Sequence, residues 1–347
     1  MGMIKLPSAS QSFFDVNYKA ILSTGQLAEG EWNRALESWT TKYTGAKFAT
    51  ACNSNGAGVL AILNLLREKY GKTKIFIQSN TMYGVKTTAI TSGLEFIGTV
   101  DCSLDYLMQT FKQFQDFVRN LKEPQRSVFL ITHIGGWINP DIEEISDYCN
   151  KMGIVLVEDC AHSLGSTLNN KHSGLFGIAG VYSLYATKAV PAGEGGLIVT
   201  NNEKLQHELQ KYSIYDRFDQ KLDLGVNIRM SEISALLSYS VCKEINEIID
   251  NKYQISKKYI SHCEKYGWEF IHPTNNGQCS NLYKFILKNT NNHVLDYFDK
   301  IKSRTSPVYD YRLGNDPYEI ANRHICLPIW YGLESEVIEQ VLSELVS

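Results

Sequence analysis

The sequence predicts an α/β fold, a mostly parallel sheet with helices on both faces, followed by a smaller α+β domain at the C-terminal end. Three observations carry this. Between residues 48 and 200, short apolar runs alternate with segments that read as helices, the rhythm of βαβ units. The run Ile154–Val157 is apolar and mostly β-branched without alternation, as in a strand buried on both faces. Beyond a long helical stretch starting at Met230, the order changes to short strands and helices that no longer form βαβ units. The expected division is a large domain over residues 1–245, with an N-terminal helical segment, and a small domain over 246–347.

A chain of 347 residues is long enough for both. A hydrophobic share of 44% with 20% charged residues is that of an ordinary water-soluble globule. A formal charge of −3 leaves no basic excess for nucleic acid. The start, MGMIKLPSASQSFF, lacks the apolar core of a signal peptide, and no run of about 18 apolar residues marks a membrane span. Eight cysteines stand apart with no C-x-x-C pair, which argues against a zinc or redox module, and no metal site is expected. With no export signal they read as reduced thiols in a cytoplasmic protein.

Taken in order, Glu29–Tyr43 puts Trp32, Leu36 and Trp39 at helical spacing, a helix packed on the core or on a partner subunit. Residues 48–66 read as a strand, a turn of small residues and a helix. Lys74–Gln78, Glu95–Val100 and Ser127–Thr132 are strands, and Asp141–Met152 is a helix stopped by Gly153. Ile154–Val157, Val181–Ala186 and Leu197–Thr200 supply the central strands. Glu203–Tyr212 reads as a helix and Asp223–Arg229 as an irregular loop. Met230–Ile249 reads as one long helix continuing toward Tyr259. In the small domain, Trp268–His272, Leu282–Leu287 and Ser306–Tyr311 read as strands, and His293–Ser303 and Glu334–Val346 as helices.

The chemistry gathers around the central strands. Glu158 and Asp159 follow the first, where open α/β sheets place their ligands. Lys188 follows the second, and the turn Gly193–Gly196 leads into the third. A lysine at such a junction reads either as a surface cation or as a Schiff-base lysine, because burial favours the free, nucleophilic amine. Pyridoxal phosphate chemistry needs such a lysine, and an acid that keeps the pyridinium nitrogen protonated. Lys188 and Asp159 are of the right types. The turn Asn55-Gly56-Ala57 opens a helix and reads either as an anion site built of backbone N–H groups or as a plain tight turn. His133, at a strand end, reads as structural.

Four segments then stand together: Glu158-Asp159-Cys160-Ala161-His162, Ser183 to Lys188, Gly193 to Thr200, and Gly225 to Glu232. In order and spacing they match the motifs ED-x-A-[QH], S-F/L-x-x-TK, GEGG-x-[VI]-x-T and GYNYRM-[ST]-E. The chain thereby resembles the sugar-aminotransferase family of fold-type I pyridoxal phosphate enzymes (the DegT/StrS type). The resemblance is clear from about residue 45 to 240 and looser beyond, where the pair Leu327-Pro328 matches the closing motif.

The resemblance implies pyridoxal 5'-phosphate held by Lys188, with Asp159 on the pyridinium nitrogen and His162 against the ring. It implies that Ser183 and the turn Asn55-Gly56-Ala57 hold the phosphate, although the threonine usual in that turn is absent. Thr81 matches a threonine of the family, and the aromatic that stacks on the ring falls at Met82. Either the Met82 thioether packs there or Tyr83 takes the place. Asn227 would reach the phosphate of the partner subunit in a homodimer; read without the resemblance, its loop could instead cap a helix of its own chain. The implied reaction moves an amino group from an amino acid, glutamate in this family, to a keto sugar linked to a nucleotide, for surface polysaccharide or antibiotic sugars. The alternatives are a sugar dehydratase, whose family members carry histidine in place of the lysine, and a non-catalytic relative of the fold.

Overall fold

The apolar runs pair as expected in this computed structural model, which describes residues 4–216, 221–290, 306–315 and 318–345. Two helices come first, α1 (Ser8–Thr24) and α2 (Glu31–Thr44). Then follow β1 (Phe48–Cys52), α3 (Asn55–Tyr70), β2 (Lys74–Gln78), α4 (Tyr83–Thr91), β3 (Glu95–Val100), α5 (Phe111–Arg119), β4 (Ser127–Thr132), α6 (Ile142–Met152) and β5 (Val155–Cys160). A short pair, β6 (Thr167–Leu168) and β7 (Lys171–His172), precedes β8 (Ala179–Ser183), β9 (Gly196–Thr200) and α7 (Glu203–Ile214).

Seven of these strands make one sheet in the order β1-β9-β8-β5-β4-β2-β3. From β8 through β5, β4 and β2 to β3 all neighbours are parallel; β9 alone runs antiparallel, to both β8 and β1. The pleat sends alternate residues to opposite faces. Val128 and Leu130 of β4 join the core under α3, with Ile62 and Leu66, whereas Phe129 and Ile131 join Phe114 of α5 and Ile142 and Ile145 of α6. The sheet is thus covered on both sides, which a parallel sheet requires.

Three helices, α1, α4 and α5, are additions to the expected set. The start of α5 was legible, since Thr110 and Gln113 form a capping box that closes two orphan N–H groups. Helix α2 begins at Gly30, which has no side chain to cap it. The carboxylate of Glu232 does so from a distance, accepting Gly30 N at 2.8 Å, Trp32 N at 2.9 Å and Asn33 N at 3.2 Å.

The strand expected over Val181–Ala186 ends at Ser183. Beyond it the chain turns back on itself: Leu184 N bonds Gly195 O and Ala186 N bonds Gly193 O, both at 2.9 Å. The segment between, including Lys188, is therefore a loop. The long helix expected from Met230 is two helices, α8 (Glu232–Cys242) and α9 (Ile245–Tyr266). Helix α9 carries Ile245 and Ile248 into the large core and Ile255, Tyr259 and Cys263 into the small one.

The C-terminal part holds β10 (Glu269–Phe270), β11 (Gln278–Cys279), β12 (Phe285–Lys288), β13 (His324–Leu327) and α10 (Ser335–Glu344). An antiparallel sheet β10-β12-β13 packs with α9 and α10, and β11 pairs with β6 across to the large sheet's side. The strand expected at Ser306–Tyr311 is reduced to one bridge, Ser306 with Cys326. The helix expected over His293–Ser303 lies outside the described residues. All eight cysteines are free, and Cys279 alone is exposed. No described helix is long and apolar enough to cross a membrane.

Candidate active site

The end of β5, the N-terminus of α3, the loop after β8 and the start of β12 meet around a cavity of about 530 Å³. Asn55, Gly56, Met82, Asp159, His162, Ser183 and Lys188 all line it. Residues that lie far apart in the chain are gathered because parallel strands release their C-terminal ends at one edge.

Asp159, next to last in β5, is 2% exposed. Its Oδ1 accepts Asn55 Nδ2 at 3.0 Å and Ala161 N at 3.1 Å, and its Oδ2 accepts Thr132 Oγ1 at 3.4 Å. Thr132 shares a 2.7 Å hydrogen bond with Thr81. Burial pushes the carboxyl above the usual carboxylate range, against the pull of these donors and of Lys188. This is a charge held in place and short of a cation.

His162 is held by both nitrogens. Gly135 N donates to Nδ1 at 3.3 Å, which places the proton on Nε2, 3.5 Å from the Tyr309 hydroxyl. The ring lies 4.4 Å from that of Tyr283. Burial, and then the ammonium groups of Lys188 and Lys284, hold its pKa well below the ordinary value, so the imidazole is neutral at pH 7. Lys188, on its loop, places Nζ 5.1 Å over the Tyr283 ring.

The small-residue turn is now the first turn of α3. Ser54 caps it, its hydroxyl accepting Ala57 N at 3.1 Å. Ala57 is therefore satisfied and does not line the cavity, while the N–H groups of Asn55 and Gly56 have no partner within the helix. The Asn55 side chain turns the other way, to Asp159 and to Val181 O. Met82 lines the cavity and Tyr83 does not; Tyr83 is 58% exposed, its N–H donating to the Tyr311 hydroxyl at 2.7 Å. Asn227 is exposed and outside the cavity; its Oδ1 accepts Arg229 N at 3.1 Å, and its loop is tied to Asn53. Tyr283, Lys284 and Tyr309 were not foreseen. They come from the C-terminal part of the chain, and no local motif marks them.

Beneath the site, Glu158 is fully buried. It accepts Gly174 N at 2.7 Å, Phe176 N and Gly177 N at 2.6 Å, and His133 Nε2 at 2.9 Å. The ligand atoms of His133, Glu158 and Cys160 lie within 4.8 Å of one another. The Glu158 oxygens are already occupied by these donors, so the group reads as a hydrogen-bond hub that fixes the strand beside Asp159. Glu158→Ala would leave three backbone N–H groups and the His133 ring without their acceptor and is expected to cost about 3–5 kcal/mol, as a lower midpoint in denaturant unfolding.

A pyridoxal phosphate has an aldehyde, a ring nitrogen that carries a proton, and a phosphate. The cavity offers an amine in Lys188, a buried carboxylate in Asp159, and for the anion two unpaired N–H groups with the Ser183 hydroxyl. The donor set fits the group.

A model of the DegT/DnrJ/EryC1/StrS aminotransferase family matches residues 10–346. The GDP-perosamine synthase of Vibrio cholerae is 26% identical over 251 residues, 65% of this chain and 67% of that protein. Among solved structures, PseC of Helicobacter pylori, an aminotransferase involved in the biosynthesis of pseudoaminic acid, has a TM-score of 0.84 at 19% identity, over 99% of this chain and 96% of that one. A variant of a GDP-4-keto-6-deoxymannose-3-dehydratase with bound GDP-perosamine scores 0.82 at 17% identity, covering 99% of each chain. At these identities the structural likeness establishes the fold.

Proposed function

The chain belongs to the DegT/DnrJ/EryC1/StrS aminotransferase family, and on that premise we propose that it transfers the amino group of glutamate to a nucleotide-linked keto sugar, with pyridoxal phosphate, as a cytoplasmic homodimer. The observation that carries the reading is that Lys188 and Asp159 line one cavity, with a neutral His162 beside them.

When bound, pyridoxal phosphate supplies an aldehyde that an amine can capture and a pyridinium ring that withdraws electrons from a neighbouring carbon. Lys188 would hold it, and its free amine would take the proton from the donor's α-carbon as general base. Asp159 would keep the proton on the ring nitrogen, because a cation beside a carboxyl raised by burial favours its charged form. His162 contributes a flat, uncharged face. Ser183 and the N–H groups of Asn55 and Gly56 bind phosphate. Lys284 offers a second cation to the anionic part of a nucleotide sugar.

The dimer reading rests on Asn227, which stands exposed outside its own chain's cavity. It rests also on the exposed apolar residues Val16, Leu22, Leu27, Val226 and Ile233. Leu27 and Ile233 are neighbours, since Ala28 bridges Ser231.

The half-reactions test the proposal. Glutamate alone should convert the bound cofactor to its amine form, read by absorbance, and a keto sugar nucleotide should restore it. If the sugar instead loses water and gains no nitrogen, the chemistry is that of a dehydratase. If no amino acid changes the spectrum, the reading fails.

A further inference from the structure

Behind the wall that Lys188 and Tyr283 present to the main cavity lies a second, far smaller one. Lys5, Lys252 of α9 and Tyr331 complete its charged and aromatic boundary. The room it leaves to the centre of a water-sized sphere is about 30 Å³, where one water needs roughly 10–15 Å³. It admits one small ion and excludes a sugar or a cofactor.

Three lysines, Lys5, Lys188 and Lys252, line it, and no acidic residue does. Lys5 is exposed and pairs with Glu334 at 3.5 Å. Lys188 lies over the Tyr283 ring. Lys252 differs. It is 2% exposed, and among the described residues no hydrogen bond or ion pair reaches its ammonium. Burial alone pulls its pKa down to about 7. A buried charge is either paired or lost, and nothing on the wall pairs this one. The Tyr331 hydroxyl is turned to Glu247, to which it donates, and makes no hydrogen bond to Lys252.

We propose that this cavity binds one small monovalent anion, of chloride size, held by the Lys252 ammonium directly behind Lys188. The anion supplies the missing counter-charge and keeps Lys252 protonated. Because α9 and the Lys188 loop both wall the site, its occupancy ties the helix that enters the small domain to the loop that carries the reactive amine. Binding is stronger at pH 6 than at pH 9, where Lys252 has lost its proton.

Thermal unfolding of the cofactor-loaded protein tests this, with chloride or bromide replacing gluconate at constant ionic strength. The midpoint is expected to rise saturably with either halide at pH 6, by roughly 2 °C once the halide is about ten times its dissociation constant, and less at pH 9. Lys252→Met keeps the volume without the charge. It should melt higher than the natural protein in gluconate and no longer respond to halide. Crystals grown in bromide should show an anomalous peak beside Lys252 Nζ, a measurement that does not depend on the variant folding. A halide response that persists in Lys252→Met, no saturable response in the natural protein, or no bromide at Lys252 would each overturn the proposal.

Discussion

Lys188→Ala is expected to abolish covalent attachment of the cofactor and to lower turnover by at least about 10²–10⁴-fold, the share of a positioned general base. The fold should survive. The ammonium makes no hydrogen bond or ion pair among the described residues, and its position over Tyr283 is a cation–π contact worth about 0.5–1 kcal/mol. Borohydride treatment followed by mass measurement reads the attachment: mass is added at Lys188 in the natural protein and not in the variant. Turnover in Lys188→Ala at the natural rate would remove this lysine from the reaction. The same variant tests the shared site. Mixed with Asn227→Ala chains, it forms dimers with one site carrying both defects and one carrying neither. About half of the natural activity per mixed dimer should return if Asn227 serves the partner's site; if it serves its own site nothing returns beyond the activity of Asn227→Ala chains, and if it serves no site Asn227→Ala alone is fully active.

Asp159→Asn separates a catalytic from a structural role, because its two effects have opposite signs. Transamination should fall about 10²–10³-fold, roughly 3–4 kcal/mol of barrier, since an amide no longer holds a proton on the ring nitrogen. The cofactor-free protein should become more stable. The sign follows from burial, which raises the folded-state pKa of this carboxyl. The folded form then binds more protons than the unfolded one between the unfolded pKa and the raised value. Stability is therefore lost as pH rises through that window, and above it the folded form carries a buried charge that its hydrogen-bond donors and Lys188 only partly offset. Asn removes that charge at similar size, while Asn55 and Thr132 can reorient to it. Unfolding midpoints of the cofactor-free proteins at pH 7 check the stability effect, and half-reaction rates check the other. If the half-reaction rate is unchanged, Asp159 does not partner the ring nitrogen.

Much of this protein is determined by local sequence. Strands Lys74–Gln78, Glu95–Val100 and Ser127–Thr132 have the boundaries their apolar runs mark, and the interiors of the first and last are apolar because those strands are buried on both faces. Asp159 and Lys188 were legible as a pair because their motifs are contiguous and the residue types are dictated by chemistry. Three things were decided only by tertiary packing. Lys188 sits on a loop because Gly193 and Gly195 draw the chain back onto Leu184 and Ala186, a pairing that apolar periodicity does not encode. The break between α8 and α9 has neither glycine nor proline to announce it, and the passage from the large core to the small one comes later, within α9 between Ile248 and Ile255. Tyr283, Lys284 and Tyr309 belong to the cavity because the C-terminal part of the chain folds against the sheet's edge. Lys252 reads in sequence as an ordinary lysine of a helix. Burial left it without a partner, and burial is a property of the whole fold.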